Sequence, residues 1–532
     1  MLKKESILKG MSIMLILMLF VSLALAGCAK DGETGNDTPD EEPNVETPAE
    51  DDKDTDDDKD DEGGFVKPEG DPVELIWLMG DPGQVPADQA MVEEKLDEIS
   101  VEALNVKVTT LYVNNETVLL KLSTGEPWDM TFTCEWYNNY GDQARKGYFA
   151  DITEKLQTLT PELYATMNET VWEGAKVDGK IYAIPVKKDY ATELFFRFDK
   201  ALFVDELGME IPDNMDFHDI EEYLKAAKDA YESGNAAAAD AEYPWMMTKG
   251  GVGMDRIFDM LNNPTGLGIP YSKVGTPDEN KVAWKYEDED YLDRLRAVHR
   301  WFKAGYINPD AAVLDEVGPY SAVKYGQGFY GADAIWTAAD GFVQLISRFD
   351  GPYLSTQTIR GSMNAINANS EHIDLALKYQ ELVNTNQEYR DILRYGIEGV
   401  HFNYNDQGLV ERTQEGVQKY GPWPFSQGSY SLSSVEAAEG VDVDPNMWQV
   451  IFDGYKDAVA TQLIGFSFDI TPVETQVAAC QTIVDKYNPR LNTGTADPDV
   501  EVPKLREEME AAGVREVQEE IQRQVDEFLA NK

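Results

Sequence analysis

VELIWLM, residues 73–79, is apolar except at Glu74, and seven residues suit a buried strand better than a helix. Residues 88–104 follow with Met91, Val92, Leu96, Ile99 and Leu104 at helical spacing. VKVTTLYV (106–113) is β-branched and strand-like, TVLLKLS (117–123) is a short helix, and WDMTFTC (128–134) is a third strand. Strand, helix, strand, helix, strand predicts an α/β fold with a mainly parallel sheet covered by helices. Such open sheets bind ligands beyond the carboxyl ends of their strands. That rule singles out two short loops, Gly80-Asp81-Pro82-Gly83 and Glu135-Trp136-Tyr137-Asn138-Asn139-Tyr140. At the far end LREEMEAAG stops a helix at Gly513, and Val514, Val517, Ile521, Val525 and Phe528 recur on one face of the next.

Upstream of the first strand the character changes. Lys3, Lys4 and Lys9 precede the apolar MSIMLILMLFVSLALA, which is the order of an export signal and is short for a membrane span. Ala24, Ala26 and Gly27 then lead into Cys28, so that Leu25-Ala26-Gly27-Cys28 resembles a bacterial lipobox. That resemblance implies cleavage before Cys28 and acyl chains such as palmitate on it, which anchor by burying their methylenes. The expected location is the outer face of the cell membrane.

Residues 31–62 hold seventeen Asp or Glu, two Lys and no aromatic residue. A segment so charged cannot bury enough apolar surface to fold, and its self-repulsion extends it into a tether. DTDDDKDDEGG lacks the register of an EF-hand, which needs Gly at its sixth position and Glu at its twelfth.

The chain carries a formal net charge of −52, of which residues 31–62 contribute −15 and residues 1–30 contribute +3, leaving −40 on the body. That field repels phosphate polymers and no basic cluster offsets it, so nucleic acid is not an expected partner. The two cysteines beyond Cys28, Cys134 and Cys480, have no metal-site spacing; they read as buried free thiols, with one long-range disulfide as the alternative. No metal and no cofactor is expected.

Gly326-Gln327-Gly328-Phe329-Tyr330-Gly331 matches GxGxxG, with Asp350 downstream, but ADAIW after it reads as a strand and no helix start follows the glycines. A turn feeding a strand is the expectation there. Four scattered histidines form no HExxH, and neither a GxSxG turn nor a Walker loop is present. Enzymatic activity is not expected, although a glycoside hydrolase needs only two carboxylates and stays open as an alternative.

Several stretches together resemble the extracellular solute-binding lipoproteins of ABC importers, in the large carbohydrate-binding group that includes maltose-binding protein. They are IWLMGDPGQVP, WDMTFTCEWYNNYGDQARKGYFADIT, GKIYAIPVKKDY, LRYGIEGVHFNYND, GFSFDITPVETQ and QEEIQRQVDEFL, which span nearly the whole body. The branch resembled carries a carboxyl-terminal module of unknown function, the DUF3502 type. It often writes Lys after GIEG, where this chain has Val400.

The resemblance implies two α/β lobes joined by a hinge with a sugar between them, the type II periplasmic-binding-protein-like fold. The chain is expected to cross within 181–196 and to return within 353–366. The implied organisation is a signal peptide (1–27), an acidic tether (28–72), lobe one (73–185), lobe two (186–355), a return to lobe one (356–430), and a largely helical module on lobe two (431–532). It implies binding by Asp81, Trp136, Tyr137, Trp336 at a strand end, Arg360 on the second crossing, and Trp423. Physics favours such residues, because a sugar offers an apolar face to indoles and hydroxyls to polar groups. The implied partners are an oligosaccharide and permease subunits, the protein acting as a monomer. A receptor for peptides or amino compounds is the alternative among binding proteins.

Overall fold

The computed structural model describes residues 65–80, 85–253, 258–259, 272–273 and 275–532. Cys28, the acidic stretch 31–62 and Asp81 lie outside the described residues.

The opening pattern folds as its periods predict. Strand β1 (Val73–Gly80) pairs in parallel with β2 (Val106–Val113) and with β3 (Met130–Thr133). Helices α1 (Gln89–Leu104) and α2 (Asn115–Thr124) make the crossovers. Local chemistry sets their ends. Asn114 caps α2 by accepting from the Thr117 amide, and Gly125 closes it with a left-handed φ of 71°. Trp77, Leu78 and Met79 are buried, which is why this strand reads as a continuous apolar run.

Two sheets result. The first runs β2-β1-β3-β8-β4, with β4 (Ala183–Pro185) and β8 (Met363–Ile366) entering later in the chain; β8 is antiparallel to both neighbours. The second runs β6-β5-β7-β9, formed by β5 (Ala191–Asp199), β6 (Val323–Gly328), β7 (Gln344–Leu354) and β9 (Val459–Ala460). The chain therefore leaves the first sheet at Pro185 and joins the second at Ala191. It leaves the second at Leu354 and rejoins the first at Met363. It passes to the second once more at β9, which runs parallel to the end of β7.

Each sheet has its own core. Around the first pack Trp77, Phe132 and Tyr140, joined by Tyr379 and Tyr389 from helices Ile373–Thr385 and Gln387–Tyr395. Around the second pack Phe196, Phe198 and Trp245, with Leu295 and Trp301 from α3 (Glu289–Lys303). The three carboxyl-terminal helices, Glu474–Asn492, Pro498–Ala511 and Val514–Asn531, enter this second core through Val484, Leu505, Val517 and Ile521. Residues 430–452 do not join it; Tyr430, Met447, Trp448 and Ile451 cluster with Val186 and Phe329 beside the crossings. Cys134 and Cys480 are buried free thiols, and burial pushes both above the usual thiol range.

Two expectations are corrected. ADAIW is no strand: it opens helix α4 (Ala332–Asp340), and the strand β6 comes before the glycines. Five short, mostly apolar residues read as a strand, but the run continues through Ala338 and Ala339, and left-handed Gly331 and Gly341 bound it. Neither neighbour of this turn makes a dinucleotide unit, because β6 is an edge strand antiparallel to β5. The glycines have a packing reason instead: a Cβ on Gly326 or Gly328 would stand 2.8 or 2.5 Å from the Trp336 indole. Finally, the tether does not extend to residue 72. Asn105 donates to the carbonyls of Pro68 (3.1 Å) and Gly70 (3.2 Å), and Phe65 packs on the first core.

Candidate ligand-binding cleft

Two of the three crossings and the ends of both sheets enclose a cavity of about 310 Å³. Its first wall grows from β3. After Thr133 the chain turns sharply: the Cys134 amide donates to the Tyr137 carbonyl (2.9 Å), and the Tyr140 amide to the Cys134 carbonyl (3.1 Å). Asn138 takes a left-handed φ of 49° and its amide is held by Asn115 (2.7 Å). Asn139 caps the next short helix. So pinned, the loop projects Trp136 outward, where it is 53% exposed. The exposed indole and the rings beside it make a continuous apolar surface of the kind that marks ligand-binding grooves.

Trp423 meets it from a distant part of the chain, with ring centroids 5.6 Å apart and planes at 67°. Phe132 supports this ring edge-on at 5.2 Å, and the Gly80 backbone lies against its back. A Cβ on Gly80 would stand 3.2 Å from the ring, a tighter contact than side chains ordinarily make, so glycine here eases the close approach. Phe425 continues the wall, stacked on Tyr430 at 4.6 Å. The two indoles thus form a corner with a broad apolar face on each side.

Polar groups rim the corner. The first crossing supplies Lys188 and Asp189, paired at 3.1 Å, and Thr192. The second supplies Ser355, Gln357 and Thr358; β6 supplies Gln327, followed by Phe329. Glu135 lines the cavity beside Trp136, and burial pushes its carboxyl above the usual range against the opposing pull of Arg360. Such a mixture of flat apolar area and convergent donors and acceptors suits a polyhydroxylated ligand.

The structure brings together Trp136 and Trp423 and keeps Tyr137, Trp336 and Arg360 out of the cavity lining, while Asp81 lies outside the described residues. Tyr137 is a core residue, 7% exposed, whose hydroxyl donates to the Val113 carbonyl (2.6 Å). Arg360 is 1% exposed; its Nε donates to the Gly174 carbonyl (2.7 Å), another nitrogen to the Lys176 carbonyl, and Nη1 sits 3.4 Å from Glu135. It braces the Trp136 loop from behind rather than facing the cavity. Trp336 packs on β5 and β6 under the Arg197 guanidinium (4.5 Å), and it lines neither this cavity nor the larger one described next. Its misplacement followed from reading α4 as a strand.

That second cavity, about 530 Å³, opens on the second sheet between Phe195, Tyr330 and Met447. It is acid-lined, and its one arginine, Arg348, is already paired with Glu193 at 2.8 Å. The smaller cavity is the better candidate because it alone joins the crossings to exposed stacking area. Lys188 and Asp189 lie within GKIYAIPVKKDY, and Gln327 and Phe329 within the glycine turn, but nothing in the sequence marks these residues or Phe425 for the cleft. No spacing rule marks a crossing residue as pointing inward. Among the described residues no group of His, Cys, Asp or Glu is placed to hold a metal, and no helix is long and apolar enough to cross a membrane.

Against known folds this arrangement of two sheets, crossings and an intervening cavity is similar to the pneumococcal N-glycan transport solute binding protein NgtS. The match has a TM-score of 0.75 at 23% identity, covering 86% of this chain and 99% of that one. It has the fold of a solute-binding protein. The alginate-binding protein AlgQ2 is a more remote structural match to this chain, with a TM-score of 0.56 at 16% identity, covering 86% and 98% of the two chains. In sequence the chain is 27% identical over 425 residues to a carbohydrate ABC transporter substrate-binding protein of Streptococcus pneumoniae serotype 4 (strain ATCC BAA-334 / TIGR4), covering 77% of this chain and 81% of the other. The family model of a domain of unknown function, DUF3502, matches residues 462–530, the stretch that carries the carboxyl-terminal helices.

Proposed function

We propose that the protein is the capturing receptor of a carbohydrate ABC importer: it binds an oligosaccharide in the cleft and passes it to permease subunits. The observation that carries this reading is the Trp136–Trp423 corner, an exposed and a half-buried indole meeting at the mouth of a polar-rimmed cavity. Sugars stack on such faces while their hydroxyls take the rim. The relatives support the ligand class, since NgtS has been solved in complex with Man5GlcNAc and with Man1GlcNAc.

In this reading Trp136, Trp423 and Phe425 stack, while Glu135, Lys188, Asp189, Gln327 and Gln357 hydrogen-bond. Asp81 is the next residue in sequence after Gly80, whose backbone lies against Trp423, and is assigned to the ligand on that adjacency. Lobe one comprises 73–185 and the return from 356, lobe two the intervening residues and the terminal helices. Ligand contacts to both lobes favour closure by their differential affinity for the closed form. The protein performs no chemistry on the sugar, works as a monomer, and is held at the outer membrane face by lipid on Cys28.

An oligosaccharide panel tests this, with melting shifts, calorimetry and product analysis read on each sugar. A shift with intact sugar is the expected result. Cleaved products would replace the receptor with a glycosidase, and shifts with peptides alone would replace the ligand class.

A further inference from the structure

Trp423 stands in a segment that has almost no backbone pairing of its own. Residues 424–434 form two single-turn pieces and no strand. What holds them is a row of side chains from the two neighbouring helices, Ile373–Thr385 and Gln387–Tyr395. Arg390 is completely buried on the second of these. Its guanidinium donates to the Pro424 carbonyl (3.0 Å), to Oε1 of Gln427 (3.2 Å) and to the Ser429 carbonyl (2.9 Å). Gln427 returns a bond to the Leu393 carbonyl (2.9 Å), and Asn384 accepts from the Ser429 amide (2.8 Å).

The choice of partners is informative. A buried cation is costly, and a carboxylate is its usual compensation. Among the described residues none forms an ion pair with Arg390; all three acceptors are neutral and lie within six residues of one another, directly after Trp423. A planar fork with fixed donor directions defines the position of three acceptors at once, which a point charge does not. The fork therefore sets the path of the chain that carries Trp423 and Phe425.

We infer that Arg390 is a positioning residue of the cleft, which never touches the ligand and fixes the Trp423 side of the indole corner before a ligand arrives. This rests on the reading of that corner as the sugar site. Arg360 is a second buried guanidinium behind the Trp136 loop, where it joins two carbonyls to the strand-end turn, there with the Glu135 carboxylate as a partner. Holding both indoles in place lowers the ordering cost that binding would otherwise bear.

The test uses Arg390→Lys, with Gln427→Met as a milder variant that keeps the charge and removes one acceptor. Two indoles this close couple optically, so near-ultraviolet circular dichroism of the ligand-free protein reads their geometry. Trp136→Phe defines the signal that belongs to the pair. Arg390→Lys should lose most of that signal while keeping native far-ultraviolet dichroism, and should weaken the tightest panel sugar roughly tenfold. In a Trp423→Ala background the same substitution should weaken binding no further. If Arg390→Lys does not fold, Gln427→Met should show a smaller loss of the same signal. An intact pair signal in a folded variant would overturn the inference, as would an equal affinity loss in both backgrounds. Should no panel sugar bind the unmodified protein, the receptor reading falls, and the pair signal still decides the role of Arg390.

Discussion

The indole of Trp136 meets that of Trp423 at 5.6 Å and 67°, although 287 residues separate them in the chain. One belongs to a loop after a strand of the first sheet, the other to an irregular segment after the last helices of the first core. Their unequal burial lets stability and affinity be told apart.

Trp136→Ala should weaken oligosaccharide binding by about 1–3 kcal/mol, or roughly five- to hundredfold, with little change in unfolding free energy. The ring is half in water already, so its removal leaves no cavity. Trp423→Ala should cost affinity on the same scale and also stability, since its ring fills space between Phe132 and Gly80. Calorimetry and urea unfolding on both variants check this.

Trp336→Ala should do the reverse. The indole covers Gly326 and Gly328 under Arg197, so its loss should destabilise the protein by about 2–4 kcal/mol and leave sugar affinity within about twofold. Gly328→Ala should also destabilise, because the new methyl would lie 2.5 Å from the ring. In a Trp336→Leu background that penalty should shrink, which a double-mutant cycle of unfolding free energies measures.

Glu135 predicts a pH effect. Burial raises its carboxyl above the ordinary value in the folded state, against Arg360, so the folded protein holds a proton that the unfolded chain has released. Stability from this group is therefore full at acid pH and falls as pH rises from about 4.5 through the folded value. Glu135→Gln keeps an acceptor for Arg360 and should remove that slope. Unfolding free energies from pH 4 to 7, taken as the difference between the two proteins, isolate it.

At the amino end, Cys28→Ala should release the protein from the membrane fraction or stall its processing, as fractionation and mass spectrometry would show. Removing residues 31–62 should leave the melting temperature of the body within about a degree, because a tract so charged has nothing to pack with. Removing the chain through Gly70 should lower it, since Asn105 would lose its two acceptors at Pro68 and Gly70.

Periodicity alone was enough for β1, α1, β2, α2 and β3, because each is a local pattern of burial that repeats within a few residues. Charge and the apolar leader were likewise sufficient to disfavour nucleic acid and to suggest export, since both depend on composition. Trp136 was also legible, as an aromatic just past a strand end where open sheets place their ligands. The remaining site was not. Tyr137, its neighbour, points into the core, and Trp336 sits on a helix whose first five residues are a short, mostly apolar run that a strand could equally use. Lys188, Asp189 and Gln327 become cleft residues only because the chain crosses between sheets beside them. Trp423 becomes a partner for Trp136 only because a buried guanidinium and a glycine-backed strand end bring it there. Local sequence controls burial along a single element, whereas which side chain faces a cavity depends on contacts between segments hundreds of residues apart, and those exist only once both sheets have packed.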